Sequence, residues 1–192
     1  MVAKVDPSLE PITLHLWTVE EYERLIELGI LTEYDRVELI EGQIVEVAPI
    51  GVEHAYWVDA LSHAAEERSE GRGITRVQSP VRLFPDSEPE PDVVVLHGPR
   101  SRYRHRHPER GDILLVIEVA DSSLTYDRTV KALMYARREV PELWVWDIPH
   151  EVVHVCRDPG PEGYQTVRVA GRDEVLEPVA LPGLKITFAE LS

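Results

Sequence analysis

Asp112-Ile-Leu-Leu-Val-Ile-Glu-Val119 is the most hydrophobic run of the chain and the stretch on which the fold turns. An uninterrupted apolar run of this length reads as a central β-strand covered on both faces. It carries a carboxylate, Glu118, near its end. A buried carboxylate needs a metal, a paired cation or a shifted pKa, so Glu118 is the first candidate site residue.

Downstream, Asp121-Ser-Ser resembles a helix entry, and Tyr126 to Glu139 reads as a helix ending before Pro141. Inside it stands Lys131, one of only three lysines beside Lys4 and Lys185, in a chain that otherwise uses Arg. A lysine offers a compact amine whose protonation responds to burial, which an arginine does not. Lys131 follows Glu118 by 131 − 118 = 13 residues, enough for a strand end, a turn and two helical turns to return the amine to the same corner. Upstream, Pro91-Asp92 opens the apolar run Asp92-Val-Val-Val-Leu96, 118 − 92 = 26 residues before Glu118. If the two strands pair, both carboxylates converge at one end of the sheet. Two carboxylates, waters and a substrate phosphate suit Mg²⁺ or Mn²⁺, with Lys131 placed to hold the attacking water or to stabilise phosphoryl charge. Each residue also has a plainer reading: Asp92 as a turn residue after proline, Lys131 in a surface pair with Asp127, Tyr135 as core and His54 as a hydrogen-bonded structural histidine.

Further out, Thr18-Val-Glu-Glu21 matches a capping box before a short amphipathic helix ending at Gly29. The alternation in DRVELIEGQIVEVAP predicts a hairpin from about Arg36 to Val47 around Glu41-Gly42. Val58, Leu61 and Ala65 predict a helix from Glu53 to Glu70, with His54 on the same face as Val58. A strand-like run from Ile74 to Phe84 is broken at Ser79-Pro80. Leu143 to Trp146, Val152 to Cys156 and Tyr164 to Val169 read as strands, the last two as a hairpin around Asp158-Pro-Gly-Pro, and LPGLKITFAEL closes the chain with one further short strand.

At 192 residues the chain is read as one domain, 1–192, large enough to bury a core without disulfides. A lone cysteine, Cys156, agrees with a reducing compartment. The first residues lack a signal-like apolar run and no window reaches a membrane span, so the expectation is a soluble cytoplasmic protein with no membrane partner. A net charge of −15 opposes broad affinity for nucleic acid. The segment Gly98 to Arg110 runs the other way: it concentrates five of the 20 basic residues, Arg100, Arg102, Arg104, Arg106 and Arg110. It reads either as basic surface or as a solvated loop balancing acidic neighbours. His105, His107 and Glu109 within it have the donor types of a transition-metal site but sit in a polar loop. A Gly-rich phosphate loop, paired Cys ligands and an HExxH pattern are all absent from the sequence.

These residues resemble the PD-(D/E)XK nuclease superfamily and, more narrowly, the Uma-two family of proteins labelled restriction endonucleases. The resemblance runs through RVELIEGQIVEVAP, EHAYWVDAL, QSPVRL, EPDVVVL, LLVIEVADSS, DRTVKALMYARREVPELWVWD and LPGLKI. It implies an α/β, restriction-endonuclease-like fold, a mixed β-sheet flanked by α-helices. By the resemblance, Pro91-Asp92 is the PD motif and Glu118 the acidic member of the second motif. Ala120 stands where the superfamily pattern has lysine, and the family places that lysine on the next helix, as Lys131. Glu38 and His54 match an acidic residue and a histidine of the family, Glu38 as an additional metal ligand and His54 as a contact to metal, water or phosphate. The expected activity is Mg²⁺- or Mn²⁺-dependent hydrolysis of DNA by a homodimer, with Asp92, Glu118 and Glu38 holding metal. The alternatives are a catalytically inactive nucleic-acid-binding or dimeric interaction module and a phosphoesterase acting on small molecules or RNA.

Overall fold

A computed structural model describes residues 13–32 and 34–192. Lys4 and most of the stretch read for a leader lie outside them. The first helix, α1 (Val19–Glu27), begins at the predicted capping box: the Thr18 side chain accepts from the Glu21 N–H and the Glu21 carboxylate accepts from the Thr18 N–H. That reciprocal cap contributes about 1 kcal/mol. Strands β1 (Val37–Ile40) and β2 (Gln43–Glu46) form the predicted antiparallel hairpin. Its two-residue turn needs positive φ at both centres, supplied by Glu41 (45°) and Gly42 (77°). A Cβ on Gly42 would lie 2.6 Å from that of Leu16, so glycine is required there for space as well as for φ.

The main sheet has six strands in the order β3-β4-β5-β6-β7-β8: β3 (Gly73–Val77), β4 (Val93–His97), β5 (Ile113–Ala120), β6 (Glu142–Asp147), β7 (Val152–Gly160) and β8 (Gly163–Ala170). Neighbours are antiparallel except β5 and β6, which run parallel. A parallel pair requires a crossover, and the chain makes it with a helical stretch: α3 (Leu124–Tyr126), a π-helical turn (Asp127–Lys131) and α4 (Ala132–Arg137). The predicted helix is thus present, with an unpredicted π turn at its centre.

The sheet is covered on both faces, as the apolar β5 requires. Trp57, Val58 and Leu61 of α2 (Val52–Arg68) pack on Val93, Val95, Ile117 and Val119, together with Trp146 and Phe188, whose rings stack 5.1 Å apart. The crossover packs Ala132, Met134 and Tyr135 on Val94, Val116, Leu143 and Val145 opposite. All eight residues of β5 are buried.

Two boundaries differ from expectation. β7 and β8 continue through Asp158-Pro-Gly, with Pro159 opposite Tyr164 and Gly160 opposite Gly163, so the turn falls at Pro161-Glu162. The run from Ile74 ends as a strand at Val77, because Gln78 adopts a left-handed φ of 41° that turns the chain out of the sheet. The closing segment makes an isolated antiparallel bridge between Leu176 and Ile186 and a 3-10 turn at Ala189–Leu191.

Candidate active site

The register of β4 on β5 pairs Val93 with Ile117. Its extension by one residue sets Asp92 beside Glu118. The crossover returns Lys131 to the same face, and the first hairpin brings Glu38 over it. Glu38, Asp92, Glu118 and Lys131, with His54 from α2, line one cavity of about 640 Å³.

Lys131 sits between two carboxylates, its Nζ 3.2 Å from Glu118 Oε1 and 3.3 Å from Glu38 Oε2. The plainer surface pair with Asp127 is replaced by these buried partners, while Asp127 accepts from the Ser123 hydroxyl. Glu118 Oε1 also accepts from the Tyr135 hydroxyl at 2.7 Å. Glu38 Oε1 accepts from the Glu90 N–H at 3.2 Å and from Lys131 Nζ at 3.4 Å, while Glu38 Oε2 is buried with the Lys131 ion pair and no hydrogen bond. Asp92 is held on both oxygens: Oδ2 accepts from the Val119 N–H at 2.8 Å, and Oδ1 lies 2.9 Å from His54 Nε2 and 3.2 Å from Gln78 Nε2.

Burial and charge pull these groups apart. Desolvation raises Glu118 to about 8 against the opposing attraction of Lys131, and raises Asp127 to about 6. Burial alone would push the Lys131 amine down, but the charges of Glu118, Glu38, Asp127 and Asp92 overturn it and hold the amine protonated. Burial also opposes ionisation of Asp92, yet the His54 and Val119 hydrogen bonds keep its carboxyl below the usual range. Its hydrogen bond to Asp92 in turn raises His54.

The donor set fits a hard divalent cation. Seven carboxylates line the cavity, from Glu38, Glu46, Glu90, Asp92, Glu118, Asp121 and Asp127, against Arg36, Lys131 and His54. These carboxylates are oxygen donors of the kind Mg²⁺ and Mn²⁺ prefer, and Glu38 Oε2 is buried with an ion-pair contact to Lys131 and no hydrogen bond. Among the described residues no three His, Cys, Asp or Glu side chains are grouped to hold an ion. The fit is therefore of the kind in which separate carboxylates from different elements hold the cation and waters complete the shell.

The sequence profile of the Uma2 family, described as "Putative restriction endonuclease", matches residues 19–189. The chain belongs to the Uma2 family. No curated protein matches it. A solved structure described as "a putative nuclease belonging to DUF820" from Anabaena variabilis superimposes with a TM-score of 0.68 at 17% identity, covering 91% of this chain and 97% of that one. The likeness fixes the fold of this Uma2 chain as restriction-endonuclease-like α/β.

Three groups at the Uma2 cavity escape a reading of the sequence. Gln78 reaches Asp92 only because of its left-handed backbone, for which the sole local signal is the Gln78-Ser-Pro break. Tyr135 has core spacing, and its hydroxyl partner is invisible in that spacing. Asp127 carries an ordinary i,i+4 pattern that hides the π turn, a device often found at functional sites. The Arg-rich segment lies elsewhere: it joins the C-terminal end of β4 to the N-terminal end of β5, the opposite end of the sheet from Asp92 and Glu118. Arg102 and Arg106 pair with Asp112, Arg100 with Glu66 and Arg110 with Glu139. Four of its five arginines are thus paired with carboxylates, two of which come from elsewhere in the chain, and the segment is a solvated loop remote from the cavity.

Proposed function

We propose that this chain is a Mg²⁺- or Mn²⁺-dependent endonuclease that hydrolyses DNA phosphodiester bonds, and that residues 1–192 form one nuclease-like unit. The observation that carries this reading is the recessed Asp92, Glu118 and Lys131 set, drawn from three elements to one cavity in a Uma2 fold. Asp92 and Glu118, with Glu38, hold the cation, which when bound acidifies a water and neutralises phosphoryl charge. Asp92 is prepared for this role because the Val119 N–H and His54 keep it ionised. Lys131 orients the attacking water and stabilises charge on the phosphoryl oxygens through its compact, protonated amine. His54, hydrogen-bonded to Asp92 and partly open to the cavity, contacts phosphate or water and moves a proton there. The homodimer implied by the resemblance belongs to the same proposal, with light scattering as its check.

The test is nicking of supercoiled plasmid in Mn²⁺ at low salt. Asp92→Ala and Lys131→Ala abolish cleavage while keeping the wild-type circular dichroism; full activity in both variants overturns the assignment.

A second reading, a catalytically inactive nucleic-acid-binding or interaction module, is favoured by one feature. Lys131 already bridges Glu38 and Glu118, and the described carboxylates are not grouped as a ready three-ligand site. It predicts the absence of Asp92-dependent Mn²⁺ binding.

A further inference from the structure

The floor of the cavity is deeply recessed. Side-chain exposure is 2% at Glu118, 4% at Glu38, 9% at Lys131 and 13% at Asp92. One wall is Val45 of β2 and the segment that follows it, with Val47, Pro49 and Ile50; the Asp121 to Tyr126 segment also lines the cavity. The volume of about 640 Å³ is that of a site enclosing a small ligand, whereas duplex recognition uses an extended surface.

A phosphate on an intact duplex is carried on a rigid rod and reaches such a floor only if its strand leaves the helix, at a cost of a few kcal/mol. An unpaired strand already has that freedom. Charge points the same way. Duplex DNA presents one negative charge per ~1.7 Å of axis, twice the density of a single strand. The cavity lining is itself acidic, with Arg36 and Lys131 as its permanent cations, and the Arg-rich loop lies at the far end of the sheet. Val47 and Ile50 are 37% and 45% exposed, an apolar edge against which an unstacked base sheds water. A duplex keeps its bases stacked inward and gains nothing from that edge.

Resting on the nuclease reading above, we infer that the substrate is single-stranded DNA, threaded so that one unstacked nucleotide lies against the Val45 to Ile50 wall while its phosphodiester reaches Asp92, Glu118 and Lys131. Paired DNA is a substrate only where a strand end or loop is free. Ile50 is then a specificity-determining residue that contacts the base.

The experiment uses the full chain with Mn²⁺ and one fluorescein-labelled deoxyoligonucleotide, supplied alone or annealed into a blunt duplex, with initial rates giving kcat/KM. The single strand is favoured by about tenfold or more, the ratio that an unstacking cost above ~1.4 kcal/mol produces. Ile50→Asp raises KM for the single strand by about tenfold with kcat nearly unchanged, the pattern of lost uniform binding. Asp92-dependent cleavage of the duplex at an equal or higher rate overturns the inference and leaves the nuclease reading intact; an unchanged KM in Ile50→Asp overturns the wall as a base subsite. Absence of Asp92-dependent cleavage of either substrate overturns the nuclease reading. Anisotropy of the same two oligonucleotides with Ca²⁺ then judges the strand preference alone: tighter binding of the single strand supports it, equal or tighter binding of the duplex overturns it.

Discussion

The two ends of the central sheet handle charge in opposite ways. At the end where β4 runs into β5, arginines and carboxylates meet in local pairs: Arg106 makes two hydrogen bonds to Asp112, at 2.7 and 3.0 Å, and Arg100 meets Glu66 in the open. At the other end, Glu38 and Glu118 are buried around one lysine, with Asp92, Glu90 and Asp127 close by. At the first end most of the arginines already have a carboxylate partner near the surface. The second buries more carboxyl groups than it has cations to pair with them, an arrangement that shifts their ionisation and is typical of functional sites.

The largest effect expected from breaking this contrast is at Lys131. Lys131→Met leaves Glu38 and Glu118 buried without their cation, costing about 3–5 kcal/mol in urea unfolding as well as activity. A loss below ~1 kcal/mol would mean that the acidic end is better solvated than its burial implies.

Protonation sharpens the same point. Glu118 has a folded pKa of about 8 against an ordinary carboxylate value of 4.5. Between those values the unfolded chain releases a proton that the folded chain retains, so the stability of metal-free protein falls as pH rises from about 5 to about 8, by up to ~1.4 kcal/mol per pH unit. Guanidinium unfolding in EDTA across that window measures it. Glu118→Gln flattens the fall; an unchanged slope in that variant removes Glu118 as its source.

At the balanced end, Arg106→Ala strips two hydrogen bonds from the nearly buried Asp112 and costs about 1–3 kcal/mol in thermal unfolding, with nuclease activity unchanged. Smallest is Arg100→Ala, whose partner Glu66 is exposed: the expected change is within about 0.5 kcal/mol. A drop in cleavage from either arginine variant would return the Arg-rich loop to the substrate-binding surface.

What the sequence discloses follows from the physics of each signal. Asp112 to Val119 has too many consecutive apolar residues for an exposed strand, and Glu118 within it announces a compensating partner; both features are local, and β5 is buried along its full length with Lys131 and Tyr135 on that carboxylate. Lys131 stands out because the chain otherwise spends arginine on surface charge. Gln78 is illegible because its role depends on one backbone dihedral, and Tyr135 because a tyrosine in a core position shows its spacing and conceals where its hydroxyl points. The π turn is hidden for a similar reason, since Asp127 and Lys131 satisfy the ordinary helical pairing rule while both line the cavity. The misplaced β7 to β8 turn reflects the pull of a Pro-Gly-Pro signal that strand pairing overrides.

The most direct measurement is a calorimetric titration of the metal-free protein with Mn²⁺, run in parallel on Asp92→Asn and Glu118→Gln. The wild type is expected to show one saturable site that is lost or weakened at least about tenfold in both variants, a loss of about 1.4 kcal/mol or more. Equal binding by all three proteins, or binding by none, would contradict the claim that the acidic end of the sheet is built around a divalent cation.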